Sequence, residues 1–175
     1  MSRLLGQDLT GREALVNENM VRDHLKEMME GGAAHIGFDK AVDGFPVDRA
    51  GQTLKGLEHT MWMLVEHLRL VNRDLIDWVT SEDYTSKPYP KGYWPAEPGP
   101  ADADEWKKSI EAVRRDMELM RSWISDEEHD ITAPLERNAA HSAMREILLA
   151  VAHNGYHVGQ MVDLRALLGV PVRDW

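Results

Sequence analysis

A chain of 175 residues with 20 basic and 30 acidic side chains, a formal net charge of −10, has the length of one domain, expected to span 1–175. That charge argues against a nucleic-acid partner, because phosphate-binding surfaces are built from clustered Lys and Arg. Hydrophobic residues make up 43 %, enough for one sizeable core, and the absence of Cys excludes disulfides, thiolate metal sites and a Cys nucleophile.

The opening run Met1-Ser2-Arg3-Leu4-Leu5-Gly6-Gln7-Asp8 breaks off before any signal-peptide core. The longest apolar run, Ile147 to Ala152, is far short of a membrane span. A cytoplasmic protein with no membrane partner is therefore expected.

Helical periodicity begins at Asn17 and runs to Glu30, with Met20, Leu25, Met28 and Met29 spaced for one buried stripe and Gly31-Gly32 as the stop. Ala33 to Phe45 predicts a second, shorter helical piece ended by Pro46. His59 to Thr80 is a long helix with Met61, Leu64, Val65, Leu68, Val71, Leu75 and Val79 on one face. Glu66, Arg69, Arg73 and Asp77 fall on its other faces.

Ser81 to Ala101 holds Pro88, Pro90, Pro95, Pro98 and Pro100 with Tyr84, Tyr89, Tyr93 and Trp94. Five prolines exclude a continuous helix or central strand, and the rings predict a connection that packs down. It reads as an ordered crossover pinned by its aromatics, or as a lid over a pocket. Asp102 to Ser125 is a charged amphipathic helix with Trp106, Ile110, Val113, Met117, Met120 and Ile124 inward. Asp126 to His141 is polar and broken by Pro134; Ser142 caps a last helix running to about Leu168, with Gly169 and Pro171 beyond. No alternating β pattern competes. The sum is an all-α chain, an up-down four-helix bundle with a long Pro-aromatic crossover and an extra N-terminal helical piece.

The eight His are the unusual feature of the composition. His153 and His157 are four apart in the last helix, so their rings project within about 40° of each other and one turn apart. Such a pair can take two corners of a metal site, or can be two half-buried surface residues. The sequence between them, Asn154-Gly155-Tyr156, lacks the Glu of H-E-x-x-H, so a zincin-type general base is missing. Their apolar neighbours, from Ile147 to Ala152 and then Val158, Met161 and Leu164, turn them inward. A buried imidazole without a partner is costly, and a metal would satisfy both.

The third ligand must come from another helix. His67, among Met63, Leu64, Leu68 and Val71, is the best candidate; alone it would read as a satisfied core His. His59 lies eight residues earlier, near the helix start, and reads as an end group or as a support behind the ligands. His24, His35, His129 and His141 sit in polar or breaking contexts and read as surface. Three imidazoles without a fourth protein ligand describe an open site suited to Zn, Ni, Fe or Cu, which leans towards reactivity.

Two stretches resemble the DinB-like superfamily of metal-binding four-helix bundles. One is His59-Thr60-Met61-Trp62-Met63-Leu64-Val65-Glu66-His67-Leu68-Arg69. The other runs from Arg145 through His153-Asn154-Gly155-Tyr156-His157-Val158-Gly159-Gln160, and the Lys91-Gly92-Tyr93-Trp94-Pro95 loop is similar to one branch of that superfamily. The resemblance implies that His67, His153 and His157 hold one divalent metal ion per chain, Zn or Ni, and that the protein is a homodimer. It implies a transferase of a low-molecular-weight thiol or a hydrolase.

The first reading is a metal-dependent transferase that moves a small thiol to an electrophilic small-molecule substrate held under the Pro-aromatic loop; without Cys, the thiol must be a cosubstrate. The second is metal-dependent hydrolysis, with Glu66 or Asp74 as a base or as a supporting or surface carboxylate. The third is a non-catalytic metal- or ligand-binding module. Tyr156 and Gln160, three residues after His153 and His157, lie roughly on the ligand side; they and Asn154 either touch the site or pack. Trp175 anchors the tail or a dimer seam. Exposed Met and Trp residues would supply a shared face.

Overall fold

The computed structural model describes residues 18–31 and 34–173. Helix dominates it, as the periodicity predicts. Helix α1 spans Glu18–Glu30. It stops where Gly31 takes φ 70°, and a Cβ there would stand 2.8 Å from the Gly37 backbone. Both the left-handed turn and the close approach therefore require glycine. Asn17, Gly32, Ala33 and Trp175 lie outside the described residues.

The buried stripe of α1 is Arg22, Leu25 and Met29, while Met20 and Met28 are exposed. The four-residue apolar stripe expected there is thus corrected. Arg22 takes a place in it because its guanidinium donates to the carbonyls of Trp123, Ile124, Asp126 and His129, which cluster at and beyond the end of a neighbouring helix.

Helix α2 is only Phe38–Val42, much shorter than the segment 33–45 predicted. Gly37 lies against the Glu30 carbonyl on one side, and Gly44 turns with φ 59° on the other, so two glycines bound it. Helix α3, Met61–Thr80, starts at the N-cap Thr60, whose Oγ1 accepts from the Met63 N–H at 3.2 Å and donates to the Pro98 carbonyl at 2.5 Å. His59 therefore stands just outside the helix. Of α3 only Thr80 is exposed.

Helix α4, Ala103–Ser125, is capped by Asp102, which accepts from the Glu105 N–H at 2.8 Å. Its predicted inward residues are buried, Met117 partly. Between α4 and the last helix a small antiparallel hairpin pairs β1 (Pro134–Leu135) with β2 (Asn138–Ser142). No strand was expected there: two short strands give too few residues for alternation to register. Helix α5, Ala143–Leu167, is capped by Ser142 and ends before Gly169 at φ 70°.

Helix α3 packs against α4 and α5, α1 packs against both of those, and α2 rests on α5. Met61, Leu64 and Leu68 of α3 meet Trp106, Val158 and Met161 in one apolar cluster; Leu75 and Ile76 meet Met120, Ile124 and Ile147 in another. One helix thus spans both clusters, with His67 within the stretch that serves the first. No helix of the described residues is long and apolar enough to cross a membrane.

Replacing Arg22 by Met keeps the stem's packing and removes the donors to four carbonyls. The expected loss is about 2–3 kcal/mol of stability, read from the urea midpoint.

Candidate metal centre

His67 lies on the second turn of α3, and His153 and His157 lie one turn apart on α5, the helix that packs against it. The three rings converge through the same atom. His153 Nε2 is 3.0 Å from His67 Nε2 and 3.2 Å from His157 Nε2. His67 and His157 meet nearly edge to face, with centroids 4.7 Å apart. The donor atoms of all three lie within 4.8 Å of one another.

The outer nitrogens decide the protonation. His67 Nδ1 donates to the Tyr93 carbonyl at 2.6 Å, and His157 Nδ1 donates to Gln160 Oε1 at 2.6 Å. A neutral ring carries one N–H, so both Nε2 atoms present lone pairs inward. His153 Nε2 can donate to only one of them, and its own Nδ1 is buried without a hydrogen-bond partner. Three imidazole nitrogens facing one point at these separations are satisfied by a cation at that point. The 3.0 and 3.2 Å spacings from His153 are near the edge of about 3.3 Å that a tetrahedron with bonds of about 2.0–2.1 Å requires, the length of Zn–N bonds.

Burial reinforces neutrality. Desolvation brings His67 down to about 4, with the Tyr93 carbonyl opposing and the neighbouring His157 and His59 assisting. His153 also falls to about 4, from burial and then from the His157 and His67 rings. His157 is lowered by burial, partly offset by Gln160. Only neutral imidazole coordinates a metal, so the site is held in its ligating form throughout the neutral range.

The Pro-aromatic connection covers one side. Trp94 stacks flat on His67, centroids 3.8 Å apart and planes 2° from parallel, and on its other face stacks on His59 at 3.9 Å. There is no room for a substrate between Trp94 and His67. This is the ordered connection pinned by its rings. The pin is Asp74: its carboxylate accepts from Tyr84 Oη at 3.0 Å, Tyr93 Oη at 2.9 Å and Lys87 Nζ at 2.8 Å. Burial, then the bond and charge of Asp74, push the Tyr93 phenol well above its ordinary range. Tyr93 thereby offers its ring to Asp74 and its carbonyl to His67.

Both carboxylates considered as bases are engaged elsewhere. Asp74 is taken by the loop. Glu66 is buried, receives two bonds from Arg69 at 2.8 and 2.7 Å and one from Ser109, and these outweigh burial to hold it below the usual carboxylate range. Gln160 is in direct contact with His157, and Tyr156 is exposed with its ring centroid 4.9 Å from that of the same imidazole, edge to face. Asn154 is buried and leaves its Oδ1 unpaired.

Among the remaining His, His24 and His35 are exposed as expected. His129 and His141 are half-buried instead, the first stacked on Trp123 and the second 2.9 Å from Glu146. Sequence reasoning missed the Tyr93 carbonyl and the Trp94 stack, because a backbone acceptor carries no residue signature. The only signal was the Tyr93-Trp94 pair inside the proline run.

Two outcomes follow from these contacts. Asp74→Ala strands two hydroxyls and an ammonium and should cost about 2–4 kcal/mol, with faster proteolysis within residues 81–101. For metal-free protein, His67 and His153 titrate near 4 when folded and near 6.5 ordinarily, so the unfolded chain binds more protons between those values. Stability is complete above about pH 6.5 and falls as pH drops towards about 4. Urea midpoints across that range should show the slope, and His67→Phe should flatten it.

No curated protein and no solved structure matches the chain. The family model of the DinB superfamily matches residues 36–161. That span holds α2, α3, α4, most of α5 and all three clustered imidazoles. The chain belongs to the DinB superfamily.

Proposed function

We propose that this protein is a metal-dependent enzyme that transfers a low-molecular-weight thiol to a small electrophilic substrate. The observation that carries the metal is the convergence of three Nε2 atoms, two of them obliged to be lone pairs by their outer hydrogen bonds. His67, His153 and His157 would hold one divalent ion per chain, Zn or Ni, the metals that neutral imidazole suits. A bound divalent ion supplies Lewis acidity, favouring the deprotonated form of a thiol or water ligand.

The chain's own residues set the conditions for that chemistry. The Tyr93 carbonyl and Gln160 fix the His67 and His157 rings, as outer partners of metal-binding His do. Trp94 seals the His67 side against water. With no Cys in the chain, a thiol must arrive as cosubstrate.

Hydrolysis is the second reading, and one observation weighs against it. Glu66 and Asp74 are both spent on structural partners, and no carboxylate joins the imidazole cluster among the described residues. Hydrolysis would want a base to take a proton from water, whereas a thiol loses its proton more readily. A non-catalytic metal-binding module is the third reading.

The same reading takes the chain as a single DinB-like domain, its four long helices arranged as an up-down bundle with α2 appended. It works in the cytoplasm as a homodimer with neither nucleic acid nor membrane as partner.

The test is elemental analysis of protein purified without a His tag. Wild type should carry close to one divalent ion per chain. His67→Ala, His153→Ala and His157→Ala should each lose most of it, while His24→Ala keeps it. The Tm of wild type should drop on chelation, by mass action. A screen of electrophiles with and without small thiols then separates transferase from hydrolase: turnover independent of thiol sinks the first reading, and no turnover by metal-loaded protein leaves the third.

A further inference from the structure

Three imidazoles meet in the cluster, but only two of them have an outer partner. His67 Nδ1 donates to the Tyr93 carbonyl and His157 Nδ1 donates to Gln160 Oε1, each at 2.6 Å. His153 Nδ1 is buried and makes no hydrogen bond. The next residue along α5 carries a matching orphan. Asn154 is 8 % exposed, and its Oδ1 is buried and makes no hydrogen bond. Buried polar atoms are seldom left single, and two of them on adjacent residues ask for one account.

Nothing in the packing calls for an amide at 154. The residue lies in the inward row of α5 with Ala150, Val158 and Met161, where the second apolar cluster gives way to the first. A cavity of about 20 Å³ beside it is lined by Met29, Phe38, Met117 and Val158. The other polar side chain of that lining is His35, whose Nδ1 donates to the Ile36 carbonyl at 2.8 Å. His35 Nε2 is then an acceptor in the neutral ring and has no proton to give Asn154 Oδ1. An amide in an apolar row costs stability unless it is bonded.

The tautomer of His153 explains both orphans. His67 Nε2 and His157 Nε2 present lone pairs, so His153 Nε2 is a donor to one of them, at 3.0 or 3.2 Å. A neutral ring has one N–H, so Nδ1 is then a lone pair, and its neighbour is an amide oxygen that also holds only lone pairs. Neither of these two atoms can donate, and no bond forms. With the proton on Nδ1 instead, Oδ1 becomes its acceptor, and a third Nε2 lone pair joins the other two. Burial, then the His157 and His67 rings, disfavour a further proton on His153; the group that favours a proton there is Asn154.

We infer that Asn154 is the positioning residue of His153: its Oδ1 accepts from Nδ1 in the ligating tautomer and fixes that ring, as the Tyr93 carbonyl and Gln160 fix the other two. The inference rests on the metal reading above and supplies its third outer partner. The amide is kept at a cost in the metal-free chain and finds its bond when His153 ligates.

The experiment compares wild type, Asn154→Leu and Asn154→Asp. It reads Zn affinity by competition with a chromophoric chelator, urea stability of the metal-free chain, and the NMR shifts of the His153 ring nitrogens. Leu keeps the branching of Asn and removes the acceptor; Asp keeps an oxygen in its place. Asn154→Leu should weaken Zn binding by about tenfold to a hundredfold, while the metal-free chain stays at least as stable as wild type. An Asn that only packed would move both readings the same way. Asn154→Asp should bind Zn at least as tightly as wild type. In wild type the His153 proton should pass from Nε2 to Nδ1 when Zn binds. A wild type that binds Zn no more tightly than Asn154→Leu overturns the inference and leaves the metal reading standing. A wild type that binds no Zn overturns both. Should Asn154→Leu fail to fold, the other two proteins decide: a His153 ring without a proton on Nδ1 in the Zn-bound wild type, or loss of Zn by Asn154→Asp, overturns the inference.

Discussion

Three neutral imidazoles pointing the same nitrogen at one point is an arrangement that much of the structure exists to hold. Left alone, the lone pairs of His67 and His157, 3.0 and 3.2 Å from His153 Nε2, compete for the one proton that atom can offer, and the ring left without it would rotate to find a donor. Rotation is blocked from outside. His67 is tied to the Tyr93 carbonyl and clamped flat under Trp94, and His157 is tied to Gln160 one turn ahead. Burial removes the other escape, protonation, by making charge costly on all three rings.

That constraint explains why a long proline-rich connection is ordered. The entropy of fixing so many residues must be met by specific bonds. Asp74 provides them: one buried carboxylate collects two tyrosine hydroxyls and a lysine, all from the connection. Thr60 adds a second tie at the far end, to the Pro98 carbonyl. Both anchors stand on α3, the helix that also carries His67. Loop, imidazole and anchor therefore share one rigid element, and the Tyr93 carbonyl inherits its position from the Tyr93 ring.

The helices and two of the three cluster residues were legible because they rest on periodicity. His153 and His157 share a face by spacing alone, and the flanking Ile, Leu and Val turn that face inward. His67 needed one further step, the assumption that a His among core residues faces the pair. What periodicity could not carry was lost. Arg22 sits in an apolar row because it serves the end of α4, a partner about a hundred residues away in sequence. The β1–β2 hairpin is too short to alternate. Glu66 and Asp74 read in sequence as bases or as supporting or surface carboxylates, and in space Arg69 and Ser109 take the first and the loop takes the second. In each case the missing information was a long-range partner, and local pattern holds none.

Helix α5 shows the same limit from the other side. Amphipathic helices announce which face is buried through contrast between an apolar stripe and a charged one. In α5 the contrast is weak: Ile147, Ala150, Val158 and Met161 point inward while Leu148, Leu149, Ala152 and Tyr156 point out. A helix apolar on all sides is ordinarily enclosed on all sides. Helix α5 has the composition of an enclosed helix and the position of a peripheral one. The inward half of that composition is accounted for by the apolar clusters and the imidazoles. The outward half is left exposed by the described protomer, although the Tyr156 ring meets His157 edge to face and its hydroxyl accepts from Gln160, so the apolar character of that half answers to no core of its own.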